Sequence, residues 1–483
     1  MPTWTPQQIE HATQGRWLAE PSRPIHDLTT DSRAIQPNQL FCALKGDRFD
    51  GHDYLAAAQQ AGASGLIIDQ PATADSLPPD PAIGILLVDN TLSALTNLAA
   101  WHRNQLTNTK VIAITGSVGK TTTKHLVHHI LSRTLHGSAS PKSFNNHIGV
   151  PLTILAAEPD HDYLIAEIGT NAPGEIETLG RIAQPDVAVI TAVAAVHLQG
   201  LGSVEAILTE KTSLLNTLRP KGLAIVNADA PGLAAAARNT ANHVTYGQAE
   251  EATLRLTQTD VTPSGLTFQF NSDTTFHAPI PGRHNIHNLL AAIAIARAMD
   301  LTDQQIAHAL TTADLPPMRL NLRQFGPADQ PITLINDAYN ANPASMSAAL
   351  ATLTDTPTTG RRIAILGDML ELGDASIELH QQLGRDIAAN HDINIAAFIG
   401  PHAATAAALS ASQRLNKDHL IAADQYTDTL AERIAAIIQP GDTILLKASR
   451  GIALEQLVPQ IEKRAEQLTY RKPTNTTAVT DDA

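Results

Sequence analysis

The sequence predicts an α/β protein of roughly three domains, and three observations carry that expectation. At 483 residues the chain exceeds the size at which one hydrophobic core stops growing. Short, fully apolar strands alternate with helical stretches over most of its length, the pattern of parallel sheets covered on both faces. One such strand, VIAIT at 111–115, runs straight into a glycine-rich turn and then a helix, the local form of a phosphate-binding sheet edge.

The elements follow in order. Residues 1–20 are expected to form a short helix, with Thr5 as cap and Pro6 in the first turn. An irregular segment rich in Asp, Gly and turn residues comes next, then strands at 65–69 and 84–88 and a helix at 91–107. The character of the chain changes after Asn108, so a small N-terminal α/β domain is placed at 1–108. A central parallel-sheet domain is placed at 109–318, with strands at 111–115, 162–169, 187–192 and 222–229. It carries an antiparallel addition at 252–279 and helices at 284–299 and 302–310, and it ends at Pro316-Pro317. A third, Rossmann-like α/β domain at 319–470 has strands at 332–337, 362–368, 395–400 and 443–449. The polar, Thr-rich residues 471–483 are expected to be a frayed tail.

Hydrophobic residues make up 43% of the chain and charged residues 17%, which suffices for packed cores and argues against global disorder. The net charge of −14 and the lack of a basic stripe argue against a nucleic-acid partner. A single cysteine, Cys42, excludes an intramolecular disulfide and a cysteine-based zinc site. The first fifteen residues lack a basic region followed by an apolar run, and no apolar stretch has the length of a membrane span. A cytoplasmic protein is expected, and a monomer suffices.

Gly116-Ser117-Val118-Gly119-Lys120-Thr121-Thr122 stands between the strand and its helix. Phosphate binding needs this arrangement: glycines let backbone amides crowd round the anion, the helix start adds its dipole, and lysine brings a point charge. Thr121 offers the hydroxyl that meets magnesium in such loops. Ile114 replaces the first glycine of the full motif.

Other polar residues follow apolar strands, where ligands of open α/β sheets collect. Glu167 is either a magnesium ligand or a helix cap, and His197 either a ligand of a second ion or a packed core histidine. Spacing alone reads Lys211 as a solvated helix lysine. Asn285 and Asn288, at i and i+3, can read a base edge or cap their helix. Arg319, just past the Pro-Pro boundary, is placed to meet a phosphate when domains close. Asp337 and Tyr339 suit a ribose and a base, and polar loops at 367–373 and 447–451 follow two further strands. His125, His128 and His129 have no acidic partner at ligand spacing and receive no role, and His147 reads equally well as a packing residue.

These texts together resemble the Mur ligase family. The resemblance rests on TDSR at 30–33, FCALKG and FDGHD within 41–53, TGSVGKTTTK at 115–124 and KSFNNHIGVPLT at 142–153. It continues through EIGTNAPGEI at 167–176, HLQGLGS at 197–203, GRHNIHN at 282–288, NDAYNANP, LGDMLELG and KASRG. It spans about residues 20–460 in the expected order. Ala192, Val196, Leu201 and His125 depart from common family residues, all beside the matched phosphate and metal positions rather than at them.

The resemblance implies the three-domain Mur ligase architecture and an ATP-dependent amide-forming ligase of peptidoglycan precursor synthesis. NNHIGVPLT and NDAYNANP point to the member that joins D-alanyl-D-alanine to UDP-N-acetylmuramoyl-tripeptide. Ser32, Arg33, Lys45, Asp50 and His52 then match positions at the uridine end of the substrate, and Asn145 and Asn146 match its sugar–phosphate region. Residues Gly116 to Thr122 would hold the ATP phosphates, with Thr121 and Glu167 at one magnesium ion and His197 at a second. Lys211 matches a lysine that family members carbamylate to N6-carboxylysine, an anion that helps hold the second ion. Asn285 and Asn288 match adenine-side positions, Arg319 a phosphate contact, and Asp337 and Tyr339 ribose and base contacts. Lys447, Ser449 and Arg450 match a loop near the incoming dipeptide or acyl phosphate.

The implied chemistry converts the tripeptide carboxylate to an acyl phosphate at the expense of ATP, after which the dipeptide amine displaces phosphate. Catalytic roles fall to Lys120, Arg319, His197 and Lys211. The alternatives are another Mur-type or folylpolyglutamate synthase-like ligase, or a regulatory P-loop ATPase. Acceptor-dependent ADP release separates them.

Overall fold

The computed structural model describes residues 3–470 apart from Pro79, His197 and Pro263, and the tail expected at 471–483 lies outside the described residues. Its central element is the strand Lys110–Thr115, in which successive side chains point to opposite faces. Ile112 and Ile114 enter one hydrophobic core, while Val111 and Ala113 enter another on the opposite face. A strand covered on both sides must be apolar throughout, which is why this stretch reads as an unbroken run.

Nine strands form the central sheet. From one edge the order is Phe276–Ala278, Gly265–Phe270, Leu254–Thr262, His243–Gly247, Leu223–Asn227, Val187–Ile190, Lys110–Thr115, Tyr163–Glu167 and Gly137–Ala139. The six strands from Gly137–Ala139 to His243–Gly247 run parallel, and the antiparallel addition expected at 252–279 extends the far edge as a meander. Glu167 pairs with Ile114, and Ile190 with Thr115. Three carboxyl-terminal strand ends therefore meet at one edge, where the phosphate loop begins.

Residues 1–20 hold less helix than expected. Thr5 and Gln8 make a reciprocal capping box for the helix Pro6–Thr13, but Gln14 turns left-handed and the chain leaves as the strand Arg16–Ala19. That strand is the antiparallel edge of a five-stranded sheet whose other strands are Gly84–Leu87, Gly65–Ile68, Leu40–Cys42 and Leu28–Thr29. The helix Thr91–Gln105 joins this sheet to the central one. Its Arg103, fully buried, donates to the carbonyls of Ala183 and Gln184 and reaches Asp186 at 2.8 Å.

The third sheet has six strands in the order Asn321–Phe325, Ile332–Asp337, Thr443–Lys447, Arg362–Gly367, Ile395–Ile399 and Leu420–Ala423. Asn321–Phe325 is an antiparallel edge strand that the sequence did not suggest, because none of its residues is fully buried and Asn321, Arg323 and Gln324 are polar. Its neighbours run parallel, so Asp337 and Lys447 pair at the same carboxyl-terminal edge. The helix Pro343–Asp355, capped by Asn342, shares a hydrophobic core with the central helix Asn285–Ala298. That shared core turns the ligand edges of the two sheets toward each other. Among the described residues no helix is long and apolar enough to cross a membrane.

Candidate active site

The phosphate loop is shaped by two glycines. Gly116 and Gly119 adopt φ of 149° and 87°, and a Cβ would lie 2.0 Å from the Thr191 hydroxyl at the first and 2.4 Å from Asn288 Oδ1 at the second. Neither position accepts a side chain. Thr191 donates to the Val118 carbonyl at 2.5 Å, and the Ser117 hydroxyl accepts from the Ala194 amide at 3.0 Å. The loop is thus laced to the end of the adjacent strand. Lys120 Nζ donates to the Gly116 carbonyl at 2.7 Å. Burial lowers the Lys120 amine's pKa, and the charge of Glu167 opposes that shift.

Glu167, only 1% exposed, ends its strand directly beside this loop. Its carboxylate accepts from the Thr121 hydroxyl at 3.0 Å, from Asn145 Nδ2 at 3.0 Å and from Lys124 Nζ at 3.1 Å. Burial would push its pKa up, but Lys124, Lys120 and Arg319 outweigh that and hold it below the ordinary carboxylate value. It caps no helix. An ionised, buried carboxylate next to a threonine hydroxyl is an oxygen-donor pair of the kind a hard divalent cation selects.

The third sheet closes the other side. Arg319 donates to the Thr121 hydroxyl at 3.0 Å and stacks over the Tyr339 ring at 4.3 Å. The Tyr339 hydroxyl meets the Ser143 hydroxyl at 2.5 Å. Lys447 Nζ lies 2.5 Å from Asp337 Oδ2, which fixes the carboxylate at the strand edge. On the central helix, Asn288 donates to Asn285 Oδ1 at 2.8 Å and accepts from Thr123 at 3.3 Å, while Asn285 donates to the Pro281 carbonyl at 2.8 Å. Neither caps the helix. A cavity of about 840 Å³ lies between these groups, and residues Ser117 to Thr122, Glu167, Asn285, Asn288, Arg319, Asp337, Tyr339 and Lys447 all line it. Asn145, Asn146 and His147 form part of the same wall, so His147 is an exposed lining residue and not a packing one.

Family models match in chain order. The description "Mur ligase family, catalytic domain" covers residues 24–102, "Mur ligase middle domain" covers 114–296, and "Mur ligase, glutamate ligase domain" covers 318–450. The UDP-N-acetylmuramoyl-tripeptide–D-alanyl-D-alanine ligase of Bacillus subtilis is 36% identical over 441 residues, covering 90% of this chain and 93% of that one. The chain belongs to the Mur ligase family. A crystal structure of MurF from Acinetobacter baumannii superposes with a TM-score of 0.84 at 32% identity, over 96% of this chain and 99% of that chain. The MurF ligase of Thermotoga maritima, solved in complex with ADP, gives 0.77 at 26% identity, over 92% and 98%.

Within this Mur ligase, Lys211 corrects the solvated-lysine expectation. It is 1% exposed, on the helix Val204–Thr212. Burial, reinforced by the charge of Lys120, pushes its amine well below the ordinary lysine pKa. The helix shows little amphipathic contrast, so spacing gave no sign of its inward face. Its neighbour Glu210 accepts from Thr170 at 3.2 Å and from the amides of Gly174 and Ile176 at 2.7 and 2.9 Å, anchoring a loop of the cavity wall. Sequence spacing gave no sign of Glu210. His197 lies outside the described residues.

The other expected substrate residues are not brought into this cavity. Arg33, exposed, chelates Asp31 through two bonds of 2.8 Å, Lys45 is exposed, and Ser32 is half-buried. His52 has both ring nitrogens engaged, with Asp50 at 2.6 Å and with the Asp69 amide at 3.2 Å. It supports its loop from within. The Ser449 hydroxyl is likewise committed, accepting from the Leu370 amide at 2.9 Å and donating to the Ala341 carbonyl at 3.3 Å, and Arg450 pairs with Glu455 at 2.5 Å. The three helix histidines have packing partners: Asp314 for His125, Tyr163 for His128 and the Ala309 carbonyl for His129.

Proposed function

We propose that this Mur ligase joins D-alanyl-D-alanine to UDP-N-acetylmuramoyl-tripeptide, consuming ATP and releasing ADP and phosphate. The observation that carries the proposal is one cavity bounded by the phosphate loop on one side and by Asp337, Tyr339 and Lys447 on the other, in a chain 36% identical to such a ligase over 90% of its length. The domain at 1–108 takes the uridine end of the substrate, 109–318 holds ATP, and 319–470 closes over the nucleotide and receives the dipeptide. The same reading takes the chain as a monomer.

A peptide carboxylate resists amines because its charge repels them and oxide is a poor leaving group. Transfer of the γ-phosphoryl group removes both obstacles: the carboxylate oxygen forms a bond to phosphorus, the bond to the bridging oxygen breaks, and ADP departs. The dipeptide amine then attacks the acyl carbon, loses a proton, and phosphate leaves. Lys120 and the loop amides hold the phosphates, and Arg319 neutralises charge on the transferring group. Asn285 and Asn288 face the adenine, Asp337 the ribose, and Tyr339 the base. Asn145 and Asn146 face the sugar–phosphate part of the acceptor. Closure of the third domain excludes water from the acyl phosphate.

Thr121 and Glu167 fit magnesium, and His197 with Lys211 would complete a second position. The ions supply charge neutralisation for the phosphoryl group. Carbamylation of Lys211 is supported by its burial and lowered pKa, since a neutral amine attacks carbon dioxide where an ammonium cannot. The test is ADP release with UDP-N-acetylmuramoyl-tripeptides, with and without dipeptide. Turnover must require D-alanyl-D-alanine. Equal turnover with a single amino acid or glutamate would transfer the assignment to another amide ligase.

A further inference from the structure

We propose that Lys124 is a positioning residue that holds the acceptor-facing segment 142–149 against the helix behind the phosphate loop. This rests on the ligase function above. Lys124 is 5% exposed and does not line the cavity. It stands one helical turn beyond Lys120 and therefore on the same face of the helix Lys120–Leu131. Its ammonium has two partners from different segments: the Glu167 carboxylate at 3.1 Å and the Lys142 carbonyl.

Lys142 opens the segment 142–149, which is also tied through the Ser143 hydroxyl to Tyr339 at 2.5 Å and through the Phe144 amide to the Pro141 carbonyl at 3.0 Å. Lys142 itself adopts φ of 47°, a left-handed conformation that lysine rarely takes unaided. Asn145 then returns to the same carboxylate through Nδ2 at 3.0 Å, and its carbonyl accepts from the Gly169 amide at 2.8 Å. Asn146 accepts from the amides of Ile148 and Gly149 at 3.2 and 2.9 Å. Lys124, Glu167 and Asn145 thus form a closed clasp, with the helix behind the phosphate loop at one end and the acceptor-facing asparagines at the other. Removing the ammonium leaves the left-handed turn at Lys142 without its donor and Glu167 without its nearest cation. The nucleotide loop keeps its own lacing through Thr191 and Ser117.

The experiment compares wild type with Lys124→Met and Lys124→Arg. In Lys124→Met, hydrogen exchange across 142–149 in the unliganded protein should accelerate about tenfold, while amides of 110–115 stay unchanged. The KM for UDP-N-acetylmuramoyl-tripeptide should rise about tenfold with the KM for ATP moving less than about threefold. Lys124→Arg, which keeps a cation and a donor, should recover most of both effects. Should Lys124→Met fold poorly, Lys124→Gln tests the same directions with smaller amplitude. Unchanged exchange at 142–149, or a parallel rise in both KM values, overturns this positioning role. Failure of the ligase function itself would look different: wild type would not turn over the sugar nucleotide, yet the exchange effect would persist.

Discussion

Arg319 and Thr121 meet across the seam between the central and C-terminal sheets, the guanidinium donating to the hydroxyl at 3.0 Å. One donor thus reaches the phosphate loop from the opposite domain while its flat face rests on Tyr339 at 4.3 Å. Arg319→Ala is expected to lower kcat roughly 10²–10³-fold by removing charge stabilisation of phosphoryl transfer. Arg319→Lys should recover little, because an ammonium cannot both stack and fork. Steady-state kinetics with circular dichroism to confirm folding checks both. Near-normal turnover in Arg319→Ala removes it from the chemistry.

Lys120→Ala should cost roughly 10²–10⁴ in rate. Calorimetric titration with Mg·ADP would show weakened binding alongside. A variant that binds and turns over normally contradicts the phosphate cradle.

Lys211 gives a pH prediction with a definite sign. The pKa of its free amine is depressed in the folded state, so at neutral pH the unfolded chain binds the extra proton and folding is opposed. That opposition shrinks as pH rises toward the ordinary lysine value. In buffer stripped of carbon dioxide, Lys211→Met should therefore melt above wild type near neutrality, with the gap closing in alkali. The same variant should be inactive, and Lys211→Ala should regain part of its activity with added short carboxylates. Thermal melts across a pH series and rescue assays read the two effects separately. Full activity in Lys211→Ala rules out the role.

Arg103 tests the joint between the first two sheets. Its guanidinium is fully buried and spans three carbonyls and Asp186. Arg103→Ala should lose about 3–5 kcal/mol, the cost of stranding a buried partner. Denaturant unfolding measures it, and kcat of the folded fraction should hold.

Much of the site was legible because its chemistry is local in the chain. A strand, a turn that only glycine fits and a helix start lie within a dozen residues, so the phosphate loop announces itself. The capping box of Thr5 and Gln8 is equally local. What stayed hidden depends on distant partners. Lys124 lies on the same helical face as the recognised Lys120, but its significance appears only when Glu167, 43 positions away, packs beside it. Lys211 and Glu210 sit on a helix with little contrast between faces, so spacing cannot say which way they point. Ser449 and His52 carry polar groups suited to ligands, yet the fold spends those groups on neighbouring loops. The edge strand Asn321–Phe325 lacks an apolar face to signal it.

The most direct test of phosphoryl transfer to a carboxyl group follows an isotope. UDP-N-acetylmuramoyl-tripeptide labelled with ¹⁸O in its terminal carboxylate is turned over with ATP and D-alanyl-D-alanine, and the released phosphate is analysed by mass spectrometry. One labelled oxygen should pass to phosphate in each turnover. Phosphate free of label, with amide still forming, would contradict an acyl phosphate in this cavity.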